Sequence, residues 1–175
     1  MHINFEFKAK HSAIGEAEKI LLQQQPLFVG EDHQVDTYFN VPNGRLKLRE
    51  GNIEQSLIFY QRSNVAGAKQ SDVTLYQHPS DAALKAVLTQ SLGVKTVVDK
   101  RRRIYFIDNV KFHFDTVVQL GTFVEVEAID KDGSIGIEKL QDQCRHYQQL
   151  LGIKEEDFVA VSYSDLLLAK KSSVA

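Results

Sequence analysis

Lys111-Phe112-His113-Phe114-Asp115 and Phe123-Val124-Glu125-Val126-Glu127-Ala128 decide the fold, because both alternate ionisable with apolar residues. Strand side chains point to opposite faces with period 2, so Lys111, His113 and Asp115 share one face. Glu125 and Glu127 form an acidic pair in the same way, flanked by Val124, Val126 and Ala128. The two runs read as strands from Val110 to Val118 and from Gly121 to Ile129. Before them, Val94 to Ile107 reads as a long strand that turns at Asp108-Asn109.

The same period runs through the first half of the chain. Ile3 to Lys10 puts apolar residues at 3, 5 and 7 and polar ones at 4, 6 and 8. Val35 to Val41 is a further strand, Asn43-Gly44 marks a tight turn, and Arg45 to Arg49 leaves it. Ser56 to Arg62 and Asp72 to His78 complete a set of about eight strands, and the short turns imply antiparallel pairing. Helical signals interrupt them. Ser12 is expected to cap a helix that Pro26 stops, and Ser80 to cap another bearing Leu84, Val87, Leu88 and Leu92, ended by Gly93. A third, from about 135 to 151, carries the stripe Ile137, Leu140, Cys144, Tyr147 and Leu151. Asp157 to Leu168 is expected to hold a short last helix, and residues 169–175 a flexible tail.

Composition narrows the class. The chain has 175 residues, 43% hydrophobic and 25% charged, which fits one soluble domain. The single cysteine, Cys144, excludes an internal disulfide and a cysteine-based metal site. No apolar run approaches the roughly 18 residues of a membrane span, and no signal peptide is visible, so a cytoplasmic protein is the expectation. The net charge of −2 argues against nucleic acid.

The charges are segregated. Arg45, Lys47 and Arg49 share one strand face, as do Lys100 and Arg102. On a single strand this pattern most often marks a solvated outer face. Repeated over several strands, rows of like charge call for a polyanionic ligand, and a closed antiparallel barrel can enclose the polar interior that would hold one. The helices would then cover the barrel's apolar outer faces. Glu125 and Glu127, with Glu6 and Asp115, have the oxygen donors that Mg²⁺ takes alongside phosphate oxygens. Salt bridging to the basic strands is the competing reading of the same acids.

The ordered set of these segments resembles the CYTH superfamily, which holds class IV adenylate cyclases, thiamine triphosphatases and related inorganic triphosphatases. The resemblance rests on Asn4-x-Glu6-x-Lys8, Gln34-x-Asp36, Arg45-x-Lys47-x-Arg49, Lys100-x-Arg102-x-x-Tyr105, Lys111-x-His113-x-Asp115, Glu125-x-Glu127 and Ser162-Tyr163-Ser164-Asp165. It is nearest the branch labelled as class IV cyclases. It implies an α+β fold with a closed eight-stranded antiparallel barrel, the triphosphate tunnel, flanked by helices. It further implies that Lys8, Arg45, Lys47, Arg49, Arg62, Lys100 and Arg102 bind a triphosphate, with Lys111 and His113 beside them. Lys100 would be the catalytic base, and Glu6, Asp115, Glu125 and Glu127 would hold Mg²⁺ or Mn²⁺. Two departures stand out: Asn4 replaces the first Glu of the signature, and Tyr60 stands where hydrolases carry a Lys. His113 is read as a hydrogen-bonded wall histidine, and Tyr60 as a wall tyrosine.

The expected activity is metal-dependent hydrolysis of a nucleoside, organic or inorganic triphosphate. The alternatives are cyclisation of ATP to cyclic AMP and pyrophosphate, and a binding module without catalysis. No nucleic-acid or membrane partner is expected, and a homodimer is left open.

Overall fold

The computed structural model describes residues 2–79 and 81–173. Its strands are β1 (His2–Lys10), β2 (Leu27–Phe39), β3 (Arg45–Glu50), β4 (Gln55–Arg62), β5 (Lys69–Gln77), β6 (Val94–Ile107), β7 (Val110–Val117) and β8 (Gly121–Asp130). Its helices are α1 (Ile14–Leu22), α2 (Ala82–Leu92), α3 (Ile137–Leu150) and α4 (Tyr163–Ser172). Every strand pairs antiparallel with its neighbours, in the order β1-β5-β4-β3-β2-β6-β7-β8, and β8 returns to β1. The barrel is closed, which removes every free edge.

Hydrophobic burial is split between the outside of the barrel and one of its ends. Phe7, Phe112, Phe114, Val124, Val126 and Ala128 point outward beneath Ala17 and Leu21 of α1 and Leu140 and Cys144 of α3. Each large side chain buried there contributes about 1.5–3 kcal/mol. A second cluster joins Tyr38, Ile58, Tyr60, Val98, Val117 and Phe123 to Tyr163 and Leu167 of α4. The C-terminal helix therefore plugs one end of the barrel. Ser162 begins it, accepting from the Asp165 N–H while the Asp165 carboxylate accepts from the Ser162 N–H, a reciprocal capping box.

Several local expectations are corrected. β2 begins at Leu27 rather than Val35: its register shifts between Phe28 and Gly30, and from Glu31 to Gln34 the buried positions are polar Asp32 and Gln34, so no apolar alternation marks them. Ser12 does not cap α1; the cap position is Ala13, with no side-chain bond. Ser80 lies outside the described residues, and Asp81 caps α2 by accepting the Ala83 N–H. No residue of α2 is buried, so it contributes little cover. The stretch expected as a tail from 169 continues α4 to Ser172, and Lys170 Nζ donates to the Gln119 carbonyl. Gly44 (φ 66°) makes the β2–β3 turn, and a Cβ there would lie 2.7 Å from the Phe59 ring. Among the described residues, no helix is long and apolar enough to cross a membrane.

Candidate active site

The interior of the barrel is a cavity of about 790 Å³. Lys8 from β1, Lys47 and Arg49 from β3, Arg62 from β4, Lys100 and Arg102 from β6, and Lys111 from β7 all line it. Seven cations from five strands thus meet in one space. Glu6, Asp36, Glu54, Glu125 and Glu127 line it too. Exposed Ile53, Leu75, Gln77 and Lys131 mark the open mouth, and buried Tyr163 the plugged end.

Asp36 organises the basic wall. Its carboxylate accepts Lys47 Nζ (3.0 Å), Lys100 Nζ (2.8 Å) and both Nε and Nη2 of Arg49 (2.9 Å each). These cations hold it ionised, well below the usual carboxylate range despite its burial. Burial pushes Lys100 down to about 7, Arg49, Arg102 and Lys47 adding to the shift and Asp36 opposing it. Lys8 is also lowered by burial, which its partner Glu125 (3.3 Å) opposes. Lys8 Nζ lies 4.1 Å from the Tyr163 ring centre.

The acidic side gathers where β7 and β8 pair, with Glu125 opposite His113. His113, Glu125 and Glu127 each offer a ligand atom within 4.8 Å of the others. His113 Nδ1 is 3.4 Å from Glu125 and 3.6 Å from Glu127. Both ring nitrogens are buried, and among the described residues neither makes a hydrogen bond of full geometry, the nearest approach being that of Nδ1 to Glu125. Burial and Arg102 push the imidazole down to about 3, so it is neutral near pH 7, the form that ligates metals. Burial, Glu125 and Glu6 push Glu127 up to about 7. Asn4 Oδ1, also on the cavity wall, is buried without a partner. Crowded carboxylates beside unpartnered nitrogen and oxygen donors fit a divalent cation.

Two expected site residues stand elsewhere. Asp115 does not line the cavity. Its oxygens accept Arg102 Nε (2.7 Å), Arg102 Nη2 (2.6 Å) and the Tyr163 hydroxyl (2.7 Å), so it orients Arg102 from behind the wall, whereas Glu125, which also accepts Arg102 Nη2 (2.8 Å), faces the cavity. Arg45 does not line the cavity either; it binds Asp165 in the first turn of α4 and Asn64, at 2.8 Å each. It shares a face with Lys47 and Arg49, but its depth along the barrel differs. Glu6 is in the cavity, paired with Arg62. Asp36 and Glu54 were not among the expected site residues, and only their burial beside several cations marks them out. One strip of wall carries no charge: Ile58 and Tyr60 of β4 stand opposite Leu75 and Val73 of β5.

The CYTH domain family model matches residues 2–163. A conserved hypothetical protein from Pyrococcus furiosus has a similar structure, with TM-score 0.78 and 22% identity over 93% of this chain and 99% of that one. A putative adenylate cyclase from Vibrio parahaemolyticus gives 0.74 and 18%, covering 94% and 97%. A putative adenylyl cyclase from Hippeastrum, described as having a dominant triphosphatase activity, gives 0.60 and 11%, covering 98% and 96%. At these identities the likeness is one of fold. No curated protein sequence matches the chain significantly.

Proposed function

Because the chain belongs to the CYTH domain family, we propose that it hydrolyses a triphosphate with the help of a divalent cation. The observation that carries this reading is the meeting of Lys8, Lys47, Arg49, Arg62, Lys100, Arg102 and Lys111 with a carboxylate–imidazole group in one cavity. Fixed cations in a water-poor space stabilise the charge that develops on phosphate oxygens, at no reorganisation cost.

Glu125 and Glu127, with His113 beside them, would hold Mg²⁺ or Mn²⁺, and the Asn4 amide oxygen stands where the family signature has a carboxylate. When bound, the ion withdraws charge from a phosphate oxygen. The chain's own groups do the rest. Lys47, Arg49 and Arg102 bind and align the phosphates. Lys100, largely neutral above about pH 7, accepts a proton from the attacking water as the new P–O bond forms. The bridging P–O bond breaks, and the wall cations hold the departing phosphate oxygen. Orthophosphate release from inorganic triphosphate that requires added Mg²⁺ or Mn²⁺ tests this; release unaffected by a chelator would refute the metal's part.

The uncharged strip of Ile58, Tyr60, Val73 and Leu75 supports a second reading, cyclisation of ATP. That wall suits an organic group rather than a fourth phosphate. In this reaction the ribose 3′-hydroxyl replaces water as nucleophile and pyrophosphate leaves.

A further inference from the structure

Glu54 belongs to no strand; it lies in the turn between β3 and β4, yet its carboxylate reaches into the cavity. There it accepts Arg49 Nη1 (2.7 Å) and Gln34 Nε2 (3.0 Å) on one oxygen and pairs with Lys111 through the other. It spans from β3 to β7, filling by itself a place between two cations that a phosphate would fill.

The turn is built to aim it. The carboxylate of Asp32, fully buried, accepts the Ile53 N–H (2.9 Å) and the Glu54 N–H (3.0 Å), and Gln34 Nε2 donates to it as well (2.8 Å). Gly51 leaves room for that contact, since a Cβ there would lie 2.7 Å from both Asp32 oxygens. Asp32 lies outside the cavity lining, so these bonds serve the placement of the turn rather than ligand contact.

Glu54 differs in kind from Asp36, the other anion on this wall. Asp36 is a short side chain within a strand, about 1% exposed, tied to three cations of its own wall. The Glu54 side chain is 24% exposed near the mouth and has one more rotatable bond. Because it belongs to a turn, rotating its side chain toward the mouth breaks no strand pairing.

We propose that Glu54 is an internal competitor: an anion on the Arg49–Lys111 subsite that an incoming phosphate group must displace. Weak anions then fail to hold the subsite, and a chain of several phosphates, anchored elsewhere by Lys8, Lys47 and Arg102, displaces the carboxylate. After cleavage the carboxylate returns and competes with the product. This rests on the triphosphate reading for its ligand, though the displacement concerns any phosphate.

Calorimetric titration of Glu54→Gln, Glu54→Ala and the unaltered protein, with EDTA present to prevent turnover, tests the idea. The probes are inorganic triphosphate and inorganic phosphate. Both variants are expected to bind both probes more tightly, by at least about tenfold, as a lost competing charge at such a site commands. Unchanged or weaker binding in a folded variant would overturn the proposal and make Glu54 a support for Arg49 and Lys111. Tighter inorganic phosphate binding, with no triphosphate bound by any of the three proteins, would uphold the displacement and sink the triphosphate reading instead. If no protein binds either probe, both are overturned. The two variants guard against misfolding, because the site of substitution is a partly exposed turn.

Discussion

Lys100 Nζ lies 2.8 Å from Asp36 Oδ2, with both side chains about 1% exposed. One buried carboxylate thus serves Lys100, Lys47 and Arg49 together. Removing its charge would leave three cations facing one another out of water. Asp36→Asn is expected to lose about 3–5 kcal/mol of stability, the usual cost of breaking a buried ion pair. Urea unfolding of the variant measures this; a loss below about 1 kcal/mol would mean that the cations find solvent.

The depressed Lys100 gives the reaction a pH profile. Its neutral, proton-accepting form grows as pH rises through about 7. Turnover at saturating metal and substrate is therefore expected to climb through that range and level off above it. Lys100→Gln is expected to lower turnover by about 100-fold, as loss of a general base does, and to flatten the climb. A variant that keeps the same profile would remove Lys100 from the role of base.

Metal affinity is expected to depend on pH through a different group. Glu127, raised to about 7, must lose its proton to ligate, so Mn²⁺ binds more tightly as pH rises through that value. Titration of Mn²⁺ by electron paramagnetic resonance separates this from the effect on turnover. In Glu125→Gln with Glu127→Gln, metal-dependent turnover should fall at least about 100-fold, beyond the loss of an outer partner; stability also falls, because buried Lys8 and Arg102 lose a counterion, so turnover is compared below the variant's melting range. Unchanged Mn²⁺ binding would refute the assignment.

Arg45 and Lys47 stand two residues apart on one strand, yet they should behave differently. Lys47→Ala is expected to weaken inorganic triphosphate binding, because Lys47 lines the cavity. Arg45→Ala is expected to leave binding nearly intact and to lower stability by about 1 kcal/mol, through loss of the Asp165 tie to α4. Calorimetry and thermal melting of the pair decide it. Equal loss of binding in both would place Arg45 at the ligand.

This pair also shows what the sequence displays and what it withholds. Alternation displays which side of a strand a residue takes, and so put Lys47 with Arg49, Lys100 with Arg102, and Glu125 with Glu127. It says nothing of depth along the barrel, which comes from the stagger between strands. Arg45 and Asp115 carry the right parity, but one is tied to Asp165 of α4 and the other stands behind Arg102, both off the cavity lining. Counterions are equally hidden, since the partner of Lys100 sits 64 residues away on β2 and nothing in either strand names the other. Glu54 lies outside any strand and has no period to reveal it. The early start of β2 escaped because Glu31-Asp32-His33-Gln34 is polar on both faces, with Asp32 and Gln34 turned inward.

The most direct test of the account is identification of products by ³¹P NMR and chromatography. The protein is incubated with ATP, thiamine triphosphate and inorganic triphosphate in turn, with Mg²⁺ or Mn²⁺. Orthophosphate is expected from at least one of the three, dependent on metal and abolished in the Glu125→Gln, Glu127→Gln variant. Cyclic AMP with pyrophosphate from ATP would move the conclusion to the cyclase. No turnover of any of the three, with triphosphate still bound, would contradict the claim that this tunnel is an active site.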